Sequence, residues 1–308
     1  MNLAKAEAKR PKGRLLVTGC SGFIGRHAVR YALNNQYNVI GFDTKPPHID
    51  DPGLSFVEGN INEKKAVEDA ARGCDYILHL AAATSLPDFQ YDLYTNYLTN
   101  IAGFMNAIEA AKVNNCRKFI YASSSAVYQK EYAETAIIDI MTQKNHYGRS
   151  KLIDDAIAAS YNETHKICAV GLRYFNLYGP GEEVKERSSP VTQFLMSKKR
   201  DDTITIFGDG SQAKDFIHID DAIALTFKLM ESKTSSGVYN IGTGVSTSFL
   251  RIAELMHPKK IIHKDNPYLS SYIFYLKADM RRLLAEVKGY KFITIEEGIS
   301  RLVKENEC

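Results

Sequence analysis

The chain is 308 residues long, 44% apolar and 24% charged, with 39 basic against 36 acidic residues and a formal net charge of +3. That profile belongs to an ordinary globular protein long enough for two lobes, and it excludes a disordered, collagenous or coiled-coil chain. The charge excess is too small to coat a broad surface for nucleic acid, so no nucleic-acid partner is expected.

The first thirteen residues are polar and basic (Lys5, Lys9, Arg10, Lys12) and lack the apolar stretch of a secretion signal. From Arg14 onward, short apolar runs alternate with segments of helical spacing. The runs Arg14–Thr18, Asn38–Phe42, Leu54–Glu58, Tyr76–Leu80, Lys118–Ala122 and Ile167–Tyr174 predict buried strands, Leu54–Glu58 being the weakest. Between them Phe23–Asn34, Glu63–Arg72, Leu93–Asn114 and Tyr147–Thr164 predict helices. Continuous apolar strands alternating with helices define an α/β protein with a doubly wound parallel sheet.

After Tyr174 the rhythm breaks, and Pro180, Gly181, Pro190, Gly208 and Gly210 punctuate shorter elements. Helices are predicted at Asp220–Met230, Ser248–Met256, Ala278–Val287 and Thr294–Glu305. Residues 1–175 thus read as one doubly wound domain and residues 176–308 as a smaller C-terminal α/β lobe, with some exchange of strands and helices between them. No apolar run approaches the roughly 18 residues of a membrane span, so no membrane partner is expected. Five cysteines (Cys20, Cys74, Cys116, Cys168, Cys308) are odd in number and form no CxxC pair. They argue against a zinc ribbon or disulfide framework and for a reducing, cytoplasmic setting.

The first strand runs straight into Thr18-Gly19-Cys20-Ser21-Gly22-Phe23-Ile24-Gly25, a GxxGxxG turn that opens a helix. Residues without a Cβ allow the tight turn and the close approach of a diphosphate, which the first helix amides then face. Asp43 ends the second strand, where an acid holds a ribose diol. Its carboxylate would repel a 2′-phosphate and so favours NAD over NADP, although the neighbouring Lys45 is a cation that such a phosphate could use.

The fifth strand ends in Ser123-Ser124-Ser125-Ala126-Val127-Tyr128, and Tyr147-Gly148-Arg149-Ser150-Lys151 opens a helix soon after. The i, i+4 spacing puts Tyr147 and Lys151 on one face. A phenol titrates near 10 and is a poor base at neutral pH, but a lysine cation one turn away favours the phenolate. Such a phenolate removes the proton of an alcohol while hydride leaves the carbon, and a serine hydroxyl orients the same oxygen. His79 reads as a structural histidine, His146 as a residue of the helix start, and Asp220-Asp221 as acids of a helix N-terminus rather than metal ligands, so no metal site is expected.

With these motifs in order, the chain resembles the extended short-chain dehydrogenase/reductase superfamily. Within it the NAD-dependent epimerase/dehydratase family acting on nucleotide sugars, of the UDP-glucose 4-epimerase kind, is the most similar. HLAA (79–82), RYFNLYGPG (173–181), FGDGSQAKDFIHIDD (207–221) and YNIGTG (239–244) carry the likeness across nearly the whole chain. The resemblance implies a Rossmann-type domain in which Gly19, Gly22, Phe23, Ile24 and Gly25 cradle the NAD diphosphate and Asp43 holds the adenosine ribose. It further implies Asn60 and Ile61 at the adenine, Leu80, Ala81 and Ala82 along the nicotinamide half, and Asn100 near the cofactor. Lys151 would also bind the nicotinamide ribose. Ser124, Tyr147 and Lys151 take the catalytic positions, with Ser124, Asn176 and Lys214 toward a nucleotide-diphosphate sugar.

The same resemblance implies a 4-epimerase, in which Tyr147 deprotonates the sugar 4-hydroxyl and a 4-keto sugar forms, turns and is reduced on its other face. An NAD(P)H-dependent reductase of a nucleotide-linked 4-keto-6-deoxy sugar uses the same trio and stands as the alternative. A non-catalytic dinucleotide sensor stands further off, because Tyr147 and Lys151 are both present. The family's dehydratases carry Asp-Glu after the catalytic Ser/Thr. Here Ser125-Ala126 stands there, which argues against dehydration. Lys214 replaces a usual arginine, and no arginine lies between Ile261 and Leu276. A homodimer is implied, paired through Leu93–Asn114 and Tyr147–Thr164.

Overall fold

The computed structural model describes residues 11–84, 89, 91–128, 140–141, 143–185, 188–233, 236–265 and 273–307. Seven strands form one parallel sheet: β1 (Gly13–Thr18), β2 (Tyr37–Asp43), β3 (Leu54–Glu58), β4 (Tyr76–His79), β5 (Lys118–Ser124), β6 (Ala169–Tyr174) and β10 (Gly237–Ile241). Their order across the sheet is β10-β6-β5-β4-β1-β2-β3. The chain steps outward from β1 to β3, returns to β4, and then proceeds to the other edge. The order therefore reverses between β1 and β4, and a crevice opens at the carboxyl ends of those two strands. Leu15, Leu16, Val17, Ile77, Leu78, Phe119 and Ile120 have no exposed surface, as central strands covered on both faces require.

Helix α1 (Phe23–Asn34) follows β1, and α2 (Lys64–Ala70) follows β3. The long helical segment after β4 is not continuous. It consists of α3 (Leu93–Tyr97), a wide π turn (Leu98–Ala102) and α4 (Gly103–Val113). The interruption falls on Asn100, whose side chain is buried and bonded to the backbone of Ala83. Helix α5 (His146–His165) lies across β5 and β6.

The smaller lobe has its own core of Tyr178, Phe194, Leu195, Ile204, Phe216, Ile252 and Leu302, among others. Strand β9 (Ala213–His218) pairs with β7 (Asn176–Tyr178), β11 (Ser246–Ser248) and β13 (Tyr275–Leu276), while β8 (Thr203–Phe207) pairs with β12 (Lys260–Lys264). Helix α6 (Pro190–Asp201) was not anticipated, because Pro190 reads as a breaker. Proline instead occupies the first turn, and Ser189 caps it by accepting from the Thr192 amide. After β9, helix α7 (Ile219–Glu231) packs on α1, and β10 joins the main sheet beside β6. The chain thus returns to the first lobe before the last helices α8 (Phe249–Leu255), α9 (Arg281–Glu286) and α10 (Ile295–Glu307). No helix among the described residues is long and apolar enough to cross a membrane. Cys308 lies outside the described residues.

Candidate active site

The glycine turn is built by close contacts. Gly19 has φ +71°, and a Cβ there would meet the Ala81 amide nitrogen at 2.7 Å. A Cβ on Gly25 would stand 2.0 Å from the Gly19 carbonyl oxygen. Both glycines are demanded by the protein's own packing of β1, α1 and the end of β4. Gly22 is different: a Cβ there meets nothing nearer than the Gly19 carbonyl at 3.4 Å. The protein leaves that space open at the N-terminus of α1, which is what an approaching diphosphate needs.

Asp43 closes the turn from β2. One carboxylate oxygen accepts from the Ser21 amide at 3.0 Å and the other from the Thr44 amide at 2.7 Å. Each oxygen keeps acceptor capacity for a ribose hydroxyl. Gly19, Gly22, Phe23, Ile24, Gly25, Asp43, Asn60, Ile61, Leu80, Ala81 and Ala82 all line one cleft of about 580 Å³. Asn60 turns its carbonyl oxygen to the Asn62 amide, which leaves its NH2 for a ligand. These residues fit a dinucleotide.

A second cleft of about 650 Å³ is lined by Ser124, Tyr147, Lys151 and Asn176. It shares Ile24, Leu80, Ala82, Thr84 and Lys185 with the first, so the two are continuous. Gly148 explains how α5 delivers Tyr147 there. A Cβ at Gly148 would stand 2.4 Å from the Ala126 carbonyl, so only glycine lets the helix start press onto the turn after β5. The buried Gln143 clamps the same junction, donating to the Ala126 and Val127 carbonyls and accepting from the Asn145 amide. Ser124 accepts from the Ala126 amide at 3.1 Å, which fixes its oxygen and leaves its hydrogen to donate.

Lys151 is 2% exposed and donates to Asp154, itself fully buried, at 3.0 Å. Burial works against the ammonium, but Asp154, with smaller contributions from Tyr147 and Asp155, outweighs it and holds Lys151 above the ordinary lysine range. His79 lies in the same buried layer, its Nδ1 2.8 Å from the Thr18 hydroxyl. Burial, with Lys151 adding to it, pushes His79 down from 6.5 to about 3. The unfolded chain therefore takes up this proton first. The stability that neutral His79 contributes is complete above 6.5 and is lost as pH falls toward 3. Urea midpoints measured from about pH 7 down to about pH 4 are expected to fall more steeply for the wild type than for His79→Gln. Parallel curves would remove His79 from the account.

Two expected site residues lie elsewhere. Asn100 lines neither cleft. Its carboxamide accepts from the Ala83 amide and donates to the Ala83 carbonyl and the Ser150 hydroxyl, and so pins the loop after β4 to α5. Lys214 also lines neither cleft; its ammonium donates to the Ile273 carbonyl. Lys185 went unnoticed in the sequence, although it is the cation at the junction of both clefts, over the Phe23 ring and 3.4 Å from Glu182. Glu182, 1% exposed, holds the start of α6 by accepting from the Ser189 amide and hydroxyl and the Thr192 hydroxyl.

A doubly wound sheet with a glycine cradle at its switch point, joined to a Ser-Tyr-Lys cleft, defines an NAD-dependent enzyme of hydride chemistry. The NAD dependent epimerase/dehydratase family matches residues 15–242. The chain belongs to that family. A putative UDP-glucose 4-epimerase of Methanocaldococcus jannaschii is 27% identical, over 94% of this chain and 97% of the relative. A dTDP-4-dehydro-6-deoxyglucose reductase of Escherichia coli is 25% identical, over 96% and 98%. The crystal structure of Helicobacter pylori ADP-L-glycero-D-manno-heptose-6-epimerase superposes with a TM-score of 0.85 at 26% identity, over 96% of each chain.

Proposed function

We propose that the protein is a nucleotide-sugar 4-epimerase. The observation that carries this reading is the continuity of the two clefts: a sugar seated against Ser124 and Tyr147 lies where a dinucleotide in the glycine cradle ends. Gly19, Gly22, Phe23, Ile24 and Gly25 hold the NAD diphosphate, Asp43 the adenosine ribose, and Asn60 and Ile61 the adenine. Leu80, Ala81 and Ala82 pack along the nicotinamide half. When bound, NAD supplies the hydride acceptor and donor. Lys151 favours the Tyr147 phenolate, which takes the proton of the sugar 4-hydroxyl, and Ser124 donates to the same oxygen. Asn176 lines the sugar cleft and donates to the Asp215 carbonyl. The substrate diphosphate falls to Lys185 rather than Lys214, because Lys185 lines the cleft. The nucleotide, held far from C4, retains the keto sugar while it turns.

A 4-keto-6-deoxy sugar reductase is the second reading, favoured by the reductase relative. Ser125-Ala126 offers no titrating pair for water loss, which disfavours a dehydratase. The protein is further proposed to act as a cytoplasmic homodimer. Exposed Tyr94, Leu98 and Met105 on the α3–α4 segment support a paired face, and no disulfide joins the described cysteines. The test is a panel of UDP-, dTDP-, CDP-, GDP- and ADP-sugars, with product analysis and cofactor absorbance followed together. An epimerase converts a sugar to its 4-epimer with no net change in cofactor. Stoichiometric consumption of added NADH or NADPH, without epimer formation, overturns the epimerase for the reductase.

A further inference from the structure

Helix α5 carries two adjacent acids below Lys151, and they divide their work. Asp155 is engaged by the sheet: Tyr121 donates to one oxygen at 3.0 Å, and Arg173 to the other at 2.8 and 3.1 Å. Asp154 is turned to Lys151, and it is the sole hydrogen-bond partner of that ammonium among the described residues. Its second oxygen, Oδ1, is buried without a hydrogen-bond partner among them. A carboxylate placed so is costly and has no evident role in holding the helix, whose backbone needs no acid there.

We propose that Asp154 is a positioning residue for the hydride chemistry: it is the counter-ion that keeps the buried Lys151 ammonium charged and fixed below Tyr147. This rests on the catalytic assignment of Tyr147 and Lys151 made above. An ammonium removed from water without a counter-charge gives up its proton, and a neutral amine no longer favours the Tyr147 phenolate. The other charged or titrating groups facing the pair do not replace Asp154. Asp155 acts on Lys151 more weakly and without a hydrogen bond, its oxygens being committed to Arg173 and Tyr121, while His79, from β4, is held neutral. Tyr121, from β5, is driven further into its neutral form. Burial raises Asp154 itself to about 6, against the pull of Lys151. Acid thus protonates Asp154 and removes the counter-charge.

The test reads Tyr147 directly, without any sugar. Tyrosinate absorbance is titrated in NAD-loaded protein and in the matching Tyr147→Phe protein, and the difference isolates Tyr147. Asp154→Asn is expected to raise the Tyr147 midpoint by about one pH unit or more. Asp154→Glu, which restores the charge, is expected to bring it back toward the wild type. Should Asp154→Asn fail to fold, Asp154→Leu, which fills the site with neither a charge nor a water, carries the same expectation. An unchanged midpoint overturns the proposal and leaves Asp154 structural. A lowered midpoint also overturns it, because the carboxylate would then act on Tyr147 as a like charge while Lys151 keeps its proton unaided. Failure of the epimerase reading shows separately, as a sugar panel without turnover beside an intact titration.

Discussion

Tyr147→Phe is expected to lose about 10²- to 10⁴-fold in turnover while NAD stays bound, the range that a positioned acid–base group contributes. The substitution removes one oxygen from a half-buried ring and leaves the helix start untouched. Gly148 still presses on the Ala126 carbonyl, and Gln143 still clamps the turn. Among the described residues the phenol oxygen makes no hydrogen bond that holds the glycine cradle, and Tyr147 does not line the dinucleotide cleft. Cofactor affinity should therefore be nearly unchanged, while the substrate hydroxyl has no base in reach. Single-turnover assays on the best sugar of the panel, with bound NAD quantified after denaturation, separate the two effects. Near wild-type turnover would sink the assignment of Tyr147 as base. Loss of NAD in parallel with activity would place the residue in cofactor binding instead.

Much of the fold was legible because buried parallel strands are nearly continuous apolar runs. Leu15 to Val17 and Phe119 to Tyr121 could hardly be placed anywhere but in a covered sheet. The glycine turn was legible for a similar reason: two of its three glycines answer to contacts so close that no other residue serves. What escaped depended on partners distant in sequence. The strand Gly237–Ile241 joins β6 only after the chain has built most of the second lobe, and YNIGTG read as a motif rather than an element. Helix Pro190–Asp201 was hidden by a proline that belongs to its first turn. The π turn at Leu98–Ala102 follows from Asn100 reaching for Ala83, which periodicity alone does not show. Lys214 and Lys185 are both cations of the second half, and the direction in which each points is a tertiary property. Nothing in the sequence singles out Asp154; only the fold shows it wholly buried against Lys151.

The second large effect concerns Gly25 and Gly22, which a sequence motif treats alike and the structure separates. Gly25→Ala places a Cβ 2.0 Å from the Gly19 oxygen and 2.8 Å from the Cys20 Cα. Both are backbone atoms of a turn held from three sides. The Gly19 amide donates to the Phe42 carbonyl, the Gly22 amide to the Gly19 carbonyl, and Gly19 packs on Ala81. Neither atom can swing away as a side chain does, so α1 must lift off the sheet. The expected cost is about 3 kcal/mol or more, at the upper end for overpacking, and it should appear in protein that has never met cofactor. Gly22→Ala meets only the 3.4 Å contact and sits at φ −71°, ordinary for any residue. Its expected effect on the stability of NAD-free protein is about 0.5 kcal/mol or less. Its methyl group, however, enters the space left for the diphosphate, and loss of about 1.4 kcal/mol of binding there is already a tenfold weaker Kd. Thermal unfolding of NAD-free protein and NAD titration by calorimetry should therefore cross over. Gly25→Ala fails the first measurement, and Gly22→Ala passes it but fails the second. Wild-type NAD affinity in Gly22→Ala would mean that the diphosphate does not approach the start of α1, and the cradle would have to be sought elsewhere in the crevice.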